Sequence, residues 1–340
     1  MSVSDLSLSR SSPRTGPAEA ALSVIIPTFN RVGTIEACLD CLFAQNVSSG
    51  GMEILVIDDG SEDGTSAALS AVVCPDPHRL VVITQRNRGA NAARNRGLQE
   101  ATAPLVAFLN DDSLPQPGWA AEHLRMHLDH PGTEVAVLGS MRDCPTVAPS
   151  LFGDLHRNPA LDRLPTGAPL DWHWFYTYNI SVKRGFIGGR RFHEALRWHE
   201  DIEFGRRLHA SGLRIVYAGQ ALVLHRHPMT EADYFRIAQR EGEALATWFL
   251  AAPELRQDLV ALGLRSGRLG TRAWRHRLAD TLIRSSTYSA WLGLARRAAK
   301  VQSRVGKICY QKLYQWHLRR SIDKVIYRHS EAALVHMESA

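Results

Sequence analysis

The chain has 340 residues, of which 45% are hydrophobic and 22% are charged, a composition typical of a folded globular protein with one large domain or two. No segment approaches the roughly 18 consecutive apolar residues of a membrane-spanning helix, so the sequence predicts a cytoplasmic protein without a transmembrane segment. The five cysteines are scattered and odd in number, which argues against a disulfide framework.

The first third of the chain alternates between short apolar runs and helical patterns, after a leader (residues 1–20) whose Ser, Pro, Ala and Gly content predicts disorder. Because the predicted strands are almost wholly apolar, we expect an α/β fold with a mainly parallel sheet covered on both faces. The predicted strands are Leu22–Ile26, Glu53–Ile57, Leu80–Ile83 and Leu105–Leu109. The predicted helices are Thr34–Phe43 with Thr34 as N-cap, Ser66–Val73 and Asn91–Gln99.

Cys38 and Cys41 form a C-x-x-C pattern, but no second pair of ligands completes a zinc site. Cys38 also shares helical spacing with Ile35, Leu39 and Leu42. The sequence therefore predicts that Cys38 lies on the buried face of a helix.

A polar cluster follows each predicted strand. The clusters are Pro27–Asn30, Asp58–Ser61, Arg86–Gly89 and Asn110–Ser113. Because the carboxyl ends of parallel strands meet at one edge of a sheet, these clusters are expected to line one crevice. Adjacent carboxylates there suit Mg²⁺ or Mn²⁺ holding a diphosphate, although Asn, Asp and Ser are also the usual residues of simple turns.

Four segments resemble, in order and spacing, the motifs of family 2 glycosyltransferases. They are Ser23–Arg31, Val56–Thr65, Asn87–Gly97 and Asn110–Asp112. The resemblance implies a Rossmann-like GT-A catalytic domain that uses a nucleotide-sugar donor with Mn²⁺ or Mg²⁺. Asn110 replaces the first Asp of the family's D-x-D motif, which assigns the metal to Asp112 and places Asp111 closer to the ribose.

The resemblance also implies the residues that bind the nucleotide. They are Pro27, Thr28, Asn30, Asp59, Arg94 and Asp111, with Arg86 as an alternative phosphate-facing residue. Asp59 would accept a hydrogen bond from a ring N–H of uracil or thymine, and the alternative is an Asp that only caps its turn. The glycine-containing segment Asn87–Gly97 has no G-x-G-x-x-G pattern after a strand, so a dinucleotide-binding site is poorly supported.

The second half of the catalytic region contains the predicted base. His199–Gly212 reads as a helix whose acidic start resembles the family's Glu-Asp motif, in which Asp201 is the general base. The alternative is that Glu200 and Asp201 only stabilise the helix N-terminus. Farther on, His225 is the predicted second metal ligand and His227 its alternate. The aromatic run Trp172–Tyr178 is interpreted as core packing or as part of an acceptor site.

Charge divides the chain unevenly: 16 Lys or Arg and two acids lie between Gly263 and Arg328, so this segment carries +14 and leaves −8 for the rest of the net +6. We expect a leader (1–20), a GT-A domain (21–228) and a helical, basic C-terminal extension (229–340). Apolar residues recur on helical spacing at Val301, Val305 and Ile308, and again from Tyr314 to Val325.

Two hypotheses for this extension stay open. It binds an anionic membrane surface at the inner face of the cell membrane, or it packs on the catalytic domain or on a second subunit of a homo-oligomer. Nucleic acid is not expected as a partner, because no nucleic-acid motif accompanies the charge.

The sequence predicts a metal-dependent, inverting glycosyltransferase that moves one sugar, from a UDP-sugar, to a hydroxyl acceptor such as a lipid-linked or cell-surface glycan. Glu194 stands where the Q-x-x-R-W motif of processive relatives needs Gln, which favours single transfer. The alternatives are an inactive, membrane-associated scaffold and a sugar-1-phosphate nucleotidyltransferase. The second would need a Gly-rich, Arg-containing loop after the first strand, where this chain has Pro27–Asn30.

Overall fold

A nine-stranded sheet forms the centre of the computed structural model, which describes residues 20–47, 50–156, 160–265, 283–301 and 304–338. The strands are β1 (Leu22–Thr28), β2 (Met52–Asp58), β3 (Arg79–Thr84), β4 (Leu105–Leu109), β5 (Ser113–Pro115), β6 (Val135–Asp143), β7 (Pro169–Leu170), β8 (Asn179–Lys183) and β9 (Arg214–His225). The α-helices are α1 (Val32–Phe43), α2 (Thr65–Ala71), α3 (Ala90–Glu100), α4 (Trp119–Asp129), α5 (Leu151–His156), α6 (Arg184–Ile187), α7 (Glu200–His209), α8 (Glu231–Ala251), α9 (Arg256–Leu262), α10 (Tyr288–Lys300) and α11 (Arg304–Glu338). The predicted leader, except for residue 20, lies outside the described residues.

The four strands predicted from apolar runs are present and are parallel to one another. β1 lies between β2 and β4, and β2 pairs with β3. Side chains alternate between the two faces of the sheet, so that Val24 packs toward α1 while Ile25 packs toward the opposite layer. Helices cover both faces, as the sequence predicts for strands that are apolar on both sides.

Helix α1 begins at Val32, so the prediction of Thr34 as its N-cap is wrong. The hydroxyl of Thr34 instead donates to the carbonyl oxygen of Arg31 at 3.2 Å. The free N–H groups at the start of the helix are bound from elsewhere in the sequence: Asp63 accepts from Val32, and Thr65 accepts from Arg31. Cys38 does lie on the buried face of α1, as predicted, and it is a free thiol.

The second half of the sheet is mixed and brings two distant segments together. β8 is antiparallel to both β4 and β6, and β9 is parallel to β6. The short strand β5 pairs antiparallel with the end of β9, with Ser113 opposite His225. The Asn110–Ser113 turn and the end of β9 are therefore neighbours at the carboxyl edge of β4.

The C-terminal helices pack on the rest of the protein. Leu318 and Ile322 of α11 are buried in a cluster that includes Leu245 of α8 and Ile202 of α7. For the apolar residues from Tyr314 to Val325, the hypothesis that the extension packs on the rest of the protein is thus confirmed. The helices approach so closely that a Cβ atom added to Gly242 would lie 2.3 Å from the carbonyl oxygen of Leu318.

The apolar residues at the end of α10 and in the first turns of α11 are exposed instead. Val301 is 75% exposed, and Val305 and Ile308 are about half exposed, although all three are apolar. Within the described ranges, none of the helices has both the length and the apolar character required to cross a membrane. Part of the basic segment, residues 266–282 and 302–303, lies outside those ranges.

Candidate active site

The carboxylate of Asp111 lies at the sheet edge, where the sequence places the donor. Its Oδ2 accepts a 2.8 Å hydrogen bond from the hydroxyl of Thr28, and its Oδ1 lies 3.6 Å from Nε of Arg31. Burial and the neighbouring charge of Asp112 raise the pKa of Asp111 to about 6, despite these partners. Thr28 and Asp111 are thus brought together from the ends of β1 and β4.

Asp112 contacts His225, the residue that the sequence predicts as its fellow metal ligand. Oδ2 of Asp112 lies 3.6 Å from Nε2 of His225. Burial raises the pKa of Asp112, but contact with His225 outweighs it, and the pKa lies below its usual value. Burial likewise lowers the pKa of His225, but contact with Asp112 reverses the sign. His227 instead faces Asp233, with Nε2 to Oδ2 at 3.9 Å.

The donor set of Asp112 and His225 fits a divalent cation such as Mn²⁺ or Mg²⁺. Oδ1 of Asp112 is buried without a hydrogen-bond partner among the described residues. In the same part of the chain, no three His, Cys, Asp or Glu side chains lie close enough to hold a metal by themselves. A cation at this pair would therefore need further oxygen ligands, which Mg²⁺ commonly takes from water and from substrate phosphates.

Asp59 and Asn30 are engaged in holding loops together. Asp59 accepts hydrogen bonds from the side chain of Gln85 and from the backbone N–H groups of Arg88 and Gly89, at 2.6–2.9 Å. Asn30 adopts a left-handed backbone conformation (φ 54°), and its side-chain oxygen accepts from the N–H of Glu62 at 2.8 Å. These contacts fit the turn-capping alternative for Asp59, and its role toward a nucleobase stays a prediction.

Arg94, which the sequence assigns to the nucleotide pocket, pairs with the helix that carries the predicted base. Its Nη1 donates a 3.0 Å hydrogen bond to Oε1 of Glu200, and both side chains are largely buried. Arg86 is exposed. The structure thus brings Arg94 next to Glu200 and close enough to Asp201 for its charge to act on that carboxylate.

Asp201 lies in the first turn of α7 and is turned toward the loop before β8. Its Oδ2 accepts a 3.3 Å hydrogen bond from the N–H of Thr177, and its Oδ1 accepts from the N–H of Ile202. Burial and the charge of Glu200 raise the pKa of Asp201 to about 6, whereas the charges of Arg94 and His199 oppose this rise. A carboxylate with this pKa is ionised at neutral pH and can still accept a proton.

A cavity of about 840 Å³ joins the predicted base to the predicted metal ligand. Among the residues that the sequence singles out, its wall includes Arg94, Asn110, Asp201, His225 and His227. Pro27, Thr28, Asn30, Asp59 and Asp111 are not part of this wall and remain along the sheet edge.

The aromatic run divides between core and cavity, so core packing is confirmed for part of it and its role in an acceptor site stays a prediction. Trp172 and Phe175 are buried, whereas Tyr176 and Tyr178 line the cavity.

The sequence assigns no role in the site to three further residues of the cavity wall. His199 precedes α7, Glu241 lies in α8, and Tyr314 lies in α11. His199 and Tyr314 begin segments that are predicted to be helical, Glu241 belongs to no motif, and the three residues are separated by 42 or more positions. Only the packing of α8 and α11 against α7 brings them to one place.

Comparison with known proteins identifies relatives over much of the chain. Residues 23–161 match the sequence model of glycosyl transferase family 2. The uncharacterized glycosyltransferase YibD of Escherichia coli K12 is 36% identical over 277 residues, which cover 72% of this chain and 77% of that protein. Validoxylamine A glucosyltransferase of Streptomyces hygroscopicus subsp. jinggangensis 5008 is 32% identical over 224 residues, 56% of this chain and 52% of the relative, so the chain spans about half of its length.

Among solved structures, the mannosyltransferase PcManGT from Pyrobaculum calidifontis, in complex with GDP-Man and Mn²⁺, has a similar fold. The TM-score is 0.58 with 20% identity, over 89% of each chain.

Proposed function

This chain belongs to glycosyltransferase family 2 and has the GT-A fold, and we propose that it transfers one sugar from a nucleotide-sugar donor to a hydroxyl group of an acceptor. The observation that carries the proposal is a single cavity whose wall contains both Asp201 and His225, with Asp112 against His225. A group able to take a proton thus lies in the same cavity as groups suited to a cation and its diphosphate.

The donor would bind along the sheet edge. Asp111, held by Thr28, would face the ribose, and Asp59 would face the base. Both oxygens of Asp59 already accept hydrogen bonds, but a carboxylate has about four lone-pair sites, so a ring N–H can share it. We propose a UDP-sugar as donor, with a GDP-sugar as the second candidate because the Pyrobaculum enzyme was solved with GDP-Man.

Asp112 and His225 would hold Mn²⁺ or Mg²⁺. When bound, such a cation supplies positive charge against the diphosphate leaving group.

Asp201 would act as general base. It takes the proton of the acceptor hydroxyl while that oxygen bonds to the anomeric carbon, and the bond from this carbon to the nucleoside diphosphate breaks. A single displacement of this kind inverts the anomeric configuration. The acceptor, for which the sequence suggests a lipid-linked or cell-surface glycan, receives one sugar, since the processive motif is incomplete at Glu194.

A donor screen tests this function. The full chain with Mn²⁺ is incubated with a panel of UDP- and GDP-sugars, and release of UDP or GDP is measured beside the Asp201→Asn variant. We expect slow hydrolysis of one donor class, reduced in the variant. Release of neither nucleotide would favour the inactive scaffold. Pyrophosphate release from UTP and a sugar 1-phosphate would instead identify a nucleotidyltransferase.

We also propose that the end of α10 and the first turns of α11 touch an anionic membrane surface. The exposed apolar residues there are Val301, Val305 and Ile308, and exposed cations flank them at Arg297, Lys300 and Arg304. No acidic residue occurs between positions 283 and 322 of the sequence. Exposed apolar side chains with basic side chains beside them are suited to the interface of an anionic bilayer.

A further inference from the structure

A group of polar side chains from three elements shares the cavity wall with Asp201. Oε2 of Glu241 in α8 accepts a hydrogen bond from the hydroxyl of Tyr314 in α11. Oε1 of the same carboxylate lies 3.7 Å from Nε2 of His199, which directly precedes α7. The C-terminal extension therefore supplies a carboxylate and a phenol to the cavity of the catalytic domain.

His199 has two features that the packing of the protein does not account for. Its backbone is left-handed, with φ 58°, a conformation that only a few per cent of residues other than Gly adopt and in which Asn, Asp and His are the most frequent. Its Nε2 is also buried without a hydrogen-bond partner among the described residues. Strained backbone and unpaired buried polar atoms concentrate at binding and catalytic sites, where a ligand completes the missing contact.

The gap between His199 and Glu241 is wider than a direct hydrogen bond. At 3.7 Å, the nitrogen and the carboxylate oxygen are held close without bonding well to each other. A hydroxyl group that donates to Oε1 of Glu241 can accept from Nε2 of His199 in the tautomer that carries the proton there. In the other tautomer, a second hydroxyl can donate to Nε2. The charge of His199 also lowers the pKa of Asp201, which places this pair near the proposed base.

We propose that His199 and Glu241 form an acceptor subsite that binds neighbouring hydroxyl groups of a polyhydroxylated ring, such as a sugar or a cyclitol, with Tyr314 positioning Glu241. The inference rests on the proposed function and names the class of its acceptor. A carboxylate can accept from two hydroxyls at once, and the stacked rings of Tyr176 and Tyr178, with centroids 5.4 Å apart, line the same cavity. Aromatic faces of this kind cover the C–H face of such a ring, as they do for sugars.

The experiment measures probe binding separately from donor binding. Methyl α-D-glucopyranoside and myo-inositol are titrated into the full chain, with and without UDP and Mn²⁺, and followed by saturation-transfer NMR. We expect Glu241→Gln and His199→Ala to weaken binding of the better probe about tenfold or more, since each removes a hydrogen bond to a hydroxyl. Tyr314→Phe should weaken it by a smaller factor, because Glu241 remains.

The matched control is Glu243→Gln, the same substitution at an exposed position of the same helix, which should bind both probes like the wild type. Calorimetric affinity for UDP should be unchanged in all variants. Failure of the wild type to bind either probe, or equal binding by wild type, Glu241→Gln and Tyr314→Phe, would overturn the subsite. A protein that binds the probes in this pattern but neither UDP nor GDP would contradict the proposed donor chemistry instead.

Discussion

The guanidinium group of Arg94 donates a 3.0 Å hydrogen bond to Glu200, the residue directly before Asp201. On the preceding turn of α3, the side chain of Asn91 donates to the carbonyl oxygen of Leu196 at 2.8 Å. Helix α3 thus fixes the segment that leads into α7, and it places a positive charge next to the proposed base.

Arg94→Gln should shift the acidic limb of the pH–rate profile upward. Asp201 must be ionised to accept a proton, so activity is lost as the pH falls through its pKa of about 6. Arg94 and His199 lower this pKa whereas Glu200 raises it, and removal of the arginine therefore raises it further. The measurement is kcat/KM between about pH 5 and pH 8. An unshifted limb with a much larger donor KM would instead place Arg94 in the nucleotide pocket.

Asp201→Asn should lower kcat by about 10²-fold or more and leave donor affinity nearly unchanged, because the amide cannot take the acceptor proton. Steady-state kinetics and UDP calorimetry measure the two effects. Asp129→Asn, at an exposed carboxylate of α4, is the control. Loss of nucleotide affinity with normal turnover would assign Asp201 to the donor site.

Asp112→Asn should remove most metal-dependent activity without unfolding the protein, since Asn110 offers no carboxylate in its place. Nucleoside diphosphate release is measured across a Mn²⁺ titration, with thermal melting as the check on folding. The exposed Asp40→Asn serves as control. Wild-type activity of Asp112→Asn at low Mn²⁺ would contradict the metal assignment.

Ile322→Ala should destabilise the protein by about 2–5 kcal/mol, because it leaves a cavity in the packed contact between α11 and α8. Val305→Ala, on the exposed side of the same helix, should change the free energy of unfolding by less than about 0.5 kcal/mol. Chemical denaturation measures both. Equal effects would mean that α11 does not pack as described.

Replacing Val301, Val305 and Ile308 by Ser should reduce binding to anionic vesicles while the melting temperature stays the same. Each cation near an anionic leaflet contributes about 1 kcal/mol, so residual, salt-sensitive binding is expected. Co-sedimentation with anionic and neutral vesicles at low and high salt is the assay, and the exposed Leu128→Ser is the control. Negligible wild-type binding to both vesicle types would end the membrane proposal.

The local sequence pattern is sufficient to predict the four strands of the parallel half of the sheet. Apolar runs of four or five residues bounded by turn residues, such as Leu105–Leu109, are too short for a typical helix and have the length of a buried strand. The start of α1 was not predictable in this way, because its cap comes from Asp63 and Thr65, about 30 positions later.

The residues of the site also differ in how far the sequence could predict their contacts. Asp112 directly precedes β5 and His225 ends β9, and these two strands pair, so the resemblance and the topology bring them together. The partner of Arg94 is 106 positions away, and a charged residue in a polar segment gives no sign of which acid it will meet. Glu241 and Tyr314 depend on how two helices cross, which neither periodicity nor charge specifies.

The close contact at Gly242 sets the distance between α8 and α11, and with it one dimension of the cavity. Glu241 is its neighbour in sequence, and Tyr314 lies one helical turn before Leu318, whose carbonyl oxygen faces the missing Cβ. Even a methyl group at position 242 would push α11 outward and carry the phenol of Tyr314 away from Glu241. Gly242 contacts no ligand, but it sets the distance between the axes of α8 and α11. This distance therefore determines how large a molecule the cavity can accept.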